Sequence, residues 1–432
     1  MRGRRWRRTP RHAGLGRDFH TLLAATTVSN IGDGIAATAA PLLVASVTTN
    51  PTLVGLAVFA QQVPWLLFSV VSGVFVDRLD RRRLIVVVNL VRGLVVAALA
   101  VAVWRGEATI AVIYTAGFLI GTCETLGDNA SSTMVPAVVS SVDLPRANSY
   151  LQSVFLLVNQ LAAPPLGAVL FATAAALPFG VNAATFVGAA ALVATMRSAG
   201  RRPVPGPVTG PVTGPVTGPL AAVSRRTIRT DIADGIRWLW REPTIRMLMV
   251  ALCLMNVTLM AGFSILVLYS RERLGLNEFG YGLLATAIAV GGLLGALVAP
   301  RLQARWSNSV LLRTGLLVET LTHVGLALAT TAWMAGPVLV AFGVHSSIWG
   351  AVTVTLRQRA VPEELRGRVQ GAFRMFSVGG SALGALVGGP IAAWRGLAGP
   401  FWLSAVAMAV LTAVAWRPFG RRLSYGVRPH RG

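Results

Sequence analysis

From residue 19 to residue 416 the chain is a succession of apolar stretches, with nearly every formal charge placed between them. A helix rises about 1.5 Å per residue, so roughly 20 apolar residues cross the hydrocarbon core of a bilayer. Applied along the chain, that length predicts twelve spans, at 19–46, 52–76, 82–103, 108–135, 146–172, 175–196, 244–270, 279–302, 309–329, 332–356, 365–394 and 398–416. Only 13% of the residues are charged, against about 25% in a soluble domain. An ordinary soluble enzyme is excluded, and the expected fold class is an all-α membrane protein of twelve transmembrane helices.

All 39 basic residues are arginine, and the net charge is +23. The arginines cluster in the N-terminal tail, at 77–83, 140–146, 197–246, 301–308 and 357–368, and in the C-terminal tail. The connections on the other side hold only Arg105, Arg271, Arg273 and Arg395. The positive-inside rule then puts both termini in the cytoplasm. That orientation accounts for the basic charge without a nucleic-acid partner. Arginine in place of lysine throughout, on a background rich in Ala, Val and Gly, points to a bacterial protein of the cytoplasmic membrane. With no lysine, neither a phosphate-loop lysine nor a Schiff-base lysine is available. Cys123 and Cys253 both fall inside predicted spans and read as small buried apolar side chains. No metal-ligand cluster, nucleophile elbow or catalytic His/Cys pairing is visible, so no enzyme activity, metal or cofactor is expected.

The largest break is residues 197–243. It contains the repeat GPVTGPVTGPVTGP (206–219), which has no core-forming pattern and reads as an extended tether. DIADGIRWLWRE (231–242) follows, with Ile232, Ile236, Trp238 and Leu239 set among charges, and is expected to form an interfacial helix. The organisation is therefore an Arg-rich tail (1–18), six spans (19–196), a linker (197–243), six spans (244–416) and a second tail (417–432). Residues 143–170 and 364–391 share a pattern of acidic residue, arginine and small-residue helix. Two such six-helix repeats joined by a basic loop resemble the major facilitator transporters.

The segment GVFVDRLDRRRLI (73–85) carries that resemblance further, being similar to the family loop signature G-x-L-x-D-R-x-G-R-R. The resemblance implies a gate in which Asp77 pairs with arginine and faces a helix N-terminus of the opposite half, with Gly73, Arg78, Arg81 and Arg82 as its other members. Phe75 and Asp80 depart from the pattern, standing where Leu and Gly are usual. TTVSNIGDGIAATAAPLLV (26–44) resembles the opening helix of the macrolide-efflux and siderophore-exporter branch. LAAPPLGAVLFA (161–172) resembles the span-five motif of drug:proton antiporters, through Pro164, Pro165 and Gly167, with Ala163 in place of the motif's glycine. Prolines there remove backbone donors and kink a helix.

Ionisable residues inside spans are costly unless they face water or a partner. Asp33 in span one, Arg92 in span three and Glu124 in span four sit at similar depths, and a buried arginine requires a carboxylate. Asp128 lies one turn from Glu124 on the same face. In the second half Glu319 and His323 stand at i,i+4 in span nine, a pairing suited either to proton relay or to structural hydrogen bonding. His345 and Arg374 are further intramembrane candidates. Gln61, Gln62, Asn159, Gln160 and Asn256 suit either a substrate cavity or interhelical hydrogen bonds. The expected function is proton-coupled efflux of a small amphipathic organic compound by a monomer, with protons and the bilayer as its other partners. A nutrient importer or uniporter on the same fold, and a non-transporting receptor or assembly partner, are the alternatives.

Overall fold

The computed structural model describes residues 15–196, 237–362 and 365–421; of 69–78, 366–367 and 421 it describes the backbone alone. Among the described residues, twelve helices are long and apolar enough to cross a membrane. We number them α1 (Arg17–Val47), α2 (Pro51–Arg78), α3 (Arg81–Trp104), α4 (Ile110–Val138), α5 (Leu144–Thr173) and α6 (Leu177–Thr195) in the first half. The second half has α7 (Pro243–Phe263), α8 (Glu278–Arg305), α9 (Asn308–Leu328), α10 (Ala332–Ala360), α11 (Arg366–Arg395) and α12 (Gly399–Arg421). The repeat at 206–219 and both tails lie outside the described residues. Of the expected interfacial helix, 237–241 are helical and 231–236 lie outside.

Polar side chains set several helix starts. Asp80 accepts from the Arg83 N–H at 2.9 Å, Asn277 from the Gly280 N–H at 2.9 Å and Ser307 from the Val310 N–H at 3.3 Å. Each satisfies one of the donors that a helix N-terminus leaves without an intrahelical partner. Asp80, where the family signature has glycine, is therefore the cap of α3. The connection from α3 to α4 turns at Gly106, whose φ of 74° suits glycine.

Two helices depart from regular α geometry. In α5 an eight-residue π segment, Phe155–Ala162, precedes Pro164 and Pro165. The prolines have no N–H to offer the carbonyls four residues back, so the hydrogen-bond ladder re-registers upstream of them. Span seven is shorter than hydropathy predicts. The α7 helix stops at Phe263, and a short turn Leu266–Leu268 and a π segment Tyr269–Arg273 follow. The residues at this break are mostly apolar, so hydropathy runs straight through it.

Small residues let the helices approach closely. Gly380, Gly384 and Gly388, spaced four apart on α11, each face backbone of α7 at Cys253, Val257 and Ala261. Across the halves, Gly389 faces Pro51 and Thr52 of α2, Gly55 faces Ala385 and Gly389, and Gly282 of α8 faces Pro164 and Ala168 of α5. At the end of the bundle opposite the termini, one buried core joins both halves, from Leu42 and Val54 to Tyr269, Leu326 and Phe401. At the other end the described cores are separate, one around Phe19, Met134 and Val193 and one around Leu248, Trp349 and Phe419. The halves are thus joined at one end and divided at the end that carries the termini.

Candidate functional site

Asp33, Arg92 and Glu124 lie midway along α1, α3 and α4; α3 packs on α4, α1 and α3 both pack on α6, and the three side chains meet. An Arg92 terminal nitrogen lies 2.8 Å from Asp33 Oδ1 and 3.3 Å from Glu124 Oε1. The guanidinium rests 4.1 Å above the centre of the Phe186 ring on α6, which fixes its plane and excludes water from one face. Ser29, one turn below Asp33, donates to Asp33 Oδ2 at 3.2 Å. Arg92 is almost fully buried, whereas both carboxylates remain about a quarter exposed.

That exposure is to a cavity of about 410 Å³ that Asp33, Arg92, Glu124 and Asp128 all line. Its apolar wall comes from Leu22, Ile85, Val88, Leu151, Phe155 and Val193, all of the first half. Asp128 is exposed on its wall. Three carboxylates therefore share a cavity with one guanidinium. The guanidinium pairs with two of the three acids, Asp33 and Glu124.

The cavity candidates separate. Asn159, in the π segment of α5, lines the cavity and donates to the Asn30 carbonyl at 3.3 Å. Asn256 instead donates to the Leu252 carbonyl at 2.7 Å and accepts from Ser381 at 3.2 Å, tying α7 to α11. Gln61, Gln62 and Gln160 are not among the residues lining this cavity. Gln61 belongs to the stretch of α2 packed on Gly117 and Gly121 of α4. Gly167 faces the backbone of Ile35, two residues from Asp33, so the span-five motif packs against the helix that carries the acid.

A second polar cluster lies in the other half, sealed from solvent. Glu319 is 1% exposed, is hydrogen-bonded to His345 Nε2 at 3.1 Å and lies 3.6 Å from His323 Nε2. Sequence spacing pointed to His323 as the partner; His345, 26 residues away on α10, is closer. Gly315 leaves room for the His345 and Trp349 rings. Arg92 stands eleven residues beyond the first residue of α3 and Glu319 eleven beyond that of α9. The third helix of each half thus carries its ionisable residue at the same level, with opposite charge. Among the described residues no group of three His, Cys, Asp or Glu side chains is placed to hold a metal ion.

Of the loop-signature residues, Arg82 donates to the Ala194 carbonyl on α6 and Arg81 reaches the Thr133 carbonyl on α4 at 3.5 Å. Both fasten the start of α3 within the first half. The side chains of Gly73, Asp77 and Arg78 lie outside the described residues; the α2 backbone is helical through Arg78.

The chain is similar over its length to known transporters. It is 26% identical to the multidrug efflux pump Tap of Mycolicibacterium fortuitum over 429 residues, covering 94% of this chain and 97% of that protein. It is 27% identical to the enterobactin exporter EntS of Salmonella typhimurium over 382 residues, covering 86% and 85%. Its fold matches a bacterial homologue of the iron transporter ferroportin in an inward-facing state, at 17% identity and a TM-score of 0.71, over 95% and 100% of the two chains. These relatives are transporters and not enzymes, and this chain is a multi-pass transporter of small molecules. With twelve spans in two halves, and with residues 22–384 matching the family profile, the chain belongs to the Major Facilitator Superfamily.

Proposed function

We propose that the protein is a proton-coupled exporter that moves a small amphipathic organic compound outward by alternating access. The observation that carries this reading is the sharing of buried Arg92 between Asp33 and Glu124 on the wall of an apolar cavity. Asp33 and Glu124 are the proton carriers, and Arg92 is the fixed cation against which they exchange protons. Asp128, exposed on the same wall, completes the acidic set. The apolar side chains and the Asn159 amide of that cavity suit a ligand with an apolar body and few polar groups. The efflux functions of Tap and EntS support export over import.

The arginine distribution supports an orientation with both termini in the cytoplasm. In that orientation the divided end faces inward, and the shared core around Tyr269 and Phe401 is the closed outer gate. On this reading Asp77 with Gly73, Arg78, Arg81 and Arg82 closes the inner side when the halves rock, and Glu319 with its histidines holds the second half together.

Everted vesicles with an imposed pH gradient test the proposal, using ethidium, a tetracycline and a catecholate as probes. Protonophore-sensitive accumulation of at least one probe is expected, and Asp33→Asn is expected to abolish it with normal membrane content. Gradient-driven transport that survives in Asp33→Asn overturns the assignment of the proton carrier. Accumulation by intact cells instead of everted vesicles overturns the direction.

A further inference from the structure

At the end of the bundle opposite the termini, a groove of about 340 Å³ lies between α3 and α6. Ala100, Val101 and Trp104 near the end of α3 form one wall and Leu177 and Gly180 of the first turn of α6 the other, with Ala174 of the connection from α5 between them. The lining is alanine, valine, leucine, tryptophan and glycine throughout, and it shares no residue with the acidic cavity. Val101, Trp104 and Leu177 are all exposed, so the groove opens on the lipid-facing surface of the bundle and not toward its centre.

Tryptophan settles where hydrocarbon gives way to headgroups. Trp104 ends α3 and is 78% exposed, and Trp333, Trp394 and Trp402 are exposed near the ends of α10, α11 and α12 on the same side. These rings put the mouth of the groove at the headgroup level. From there α3 runs toward the bilayer centre with Val101, Leu94 and Val87 exposed at intervals of seven residues, which keeps them on one face. Leu94 lies ten residues before Trp104, or roughly 15 Å at 1.5 Å per residue, half of the roughly 30 Å hydrocarbon core. One acyl chain therefore has an apolar track from the headgroup level to the midplane.

Directly beyond Trp104 the chain turns at Gly106, with Arg105 before it and Glu107 after it, both exposed. The other arginines of this end are engaged. Arg271 donates to the Ala45 carbonyl, Arg273 to the Ala327 and Ala329 carbonyls, and the Arg395 guanidinium lies 3.9 Å from the centre of the Trp394 ring. Among the described residues, neither the Arg105 guanidinium nor the Glu107 carboxylate has an ion-pair or hydrogen-bond partner. A cation and an anion flanking one glycine match the two charges of a phosphatidylethanolamine headgroup, whose phosphate accepts from a guanidinium and whose ammonium donates to a carboxylate. A choline headgroup has no N–H to donate, and a glycerol headgroup brings no cation to Glu107. We propose that this groove is a phospholipid site, in which one acyl chain lies between α3 and α6 and a phosphatidylethanolamine headgroup is held by Arg105 and Glu107, in the leaflet opposite the termini. The site stands apart from the proton-coupled reading and does not depend on it.

The test is native mass spectrometry of the full-length protein in detergent, titrated with phosphatidylethanolamine, phosphatidylcholine and phosphatidylglycerol of matched chains. The parent is expected to retain one phosphatidylethanolamine about 2- to 10-fold more tightly than either other lipid. Arg105→Gln is expected to lower that affinity to the phosphatidylcholine level, and Glu107→Gln to raise phosphatidylglycerol to the level of phosphatidylethanolamine. A side chain added at Gly180 meets nothing within 4 Å, so Gly180→Leu fills the groove without pressing on the protein and is expected to lose the tightly held lipid. Equal retention of the three lipids by the parent, or a preference for phosphatidylglycerol, overturns the headgroup assignment; undiminished phosphatidylethanolamine in Gly180→Leu overturns the groove. A second measurement does not rely on that variant. The Trp104 fluorescence, taken as the difference between the parent and Trp104→Phe, is expected to be quenched more by phosphatidylethanolamine brominated along its chains than by the other two brominated lipids. Equal quenching by all three overturns the proposal and leaves only the unselective lipid that surrounds any membrane protein.

Discussion

Replacing Gly389 by alanine puts a methyl group between the two halves at their closed end. The new Cβ would stand 2.7 Å from Thr52 Cα and 2.9 Å from the Pro51 carbonyl carbon, and closer still to the Pro51 oxygen. Carbon atoms in contact sit about 3.5–4.0 Å apart, so α2 and α11 must part by roughly 0.8 Å or more. Overpacking of this kind costs about 1–3 kcal/mol. Alanine is also the better helix former, by up to about 1 kcal/mol, but that gain is common to the closed and open states and cancels between them. The full 1–3 kcal/mol therefore shifts the equilibrium away from the closed end, by about 5- to 150-fold. Gly388 is the internal control. A Cβ there would stand 2.8 Å from the Ala261 backbone on α7, a clash of the same size inside the second half. Val54, 1% exposed in the core shared by both halves, reports the opening as Val54→Cys labelled by an impermeant maleimide. Gly389→Ala is expected to raise its labelling rate about 5- to 150-fold, and Gly388→Ala to leave it unchanged. Equal labelling in the two variants would refute the assignment of this surface as the gate.

Other substitutions probe the remaining contacts. His345→Leu leaves Glu319 buried with only His323 at 3.6 Å; it is expected to cost about 3–5 kcal/mol, read as a lower thermal-inactivation midpoint in detergent, and the double variant Glu319→Leu/His345→Leu to recover most of the loss. Gly167→Ala presses on the Ile35 backbone, with Cα at 3.0 Å, and is expected to cost about 1–3 kcal/mol and to lower gradient-driven transport by displacing Asp33. Arg271 donates to the Ala45 carbonyl across the halves at 3.2 Å. Its loss in Arg271→Gln, at about 0.5–1.5 kcal/mol, is expected to raise Val54→Cys labelling about 2- to 10-fold.

The helices were legible because hydropathy at span length is a direct image of the bilayer. Predicted span four, 108–135, is observed as Ile110–Val138, and span ten, 332–356, as Ala332–Ala360. Asp33, Arg92 and Glu124 were legible as a set because similar depth and opposite charge leave a buried arginine few choices. What hydropathy cannot carry is azimuth, the direction a side chain takes around its helix once depth is known. Gln61 and Asn159 read alike in sequence, yet Asn159 lines the cavity and Gln61, exposed on α2, does not. His345 as the nearer partner of Glu319, and Trp65 beneath Arg374, depend on which helices are neighbours, and nothing in the local sequence records that. The end of α7 at Phe263 escaped for a simpler reason, because Ile265–Tyr269 are as apolar as the helix before them.

Proton counterflow is the most direct test of the central claim. Purified protein in liposomes, with a pH dye inside and an outward substrate gradient but no pH gradient, separates coupled from uncoupled transport. The account predicts that substrate leaving the liposomes draws protons in. It predicts that Asp33→Asn loses this proton movement while still exchanging labelled for unlabelled substrate. Substrate efflux without proton entry in the unmodified protein, or undiminished proton entry in Asp33→Asn, would contradict it.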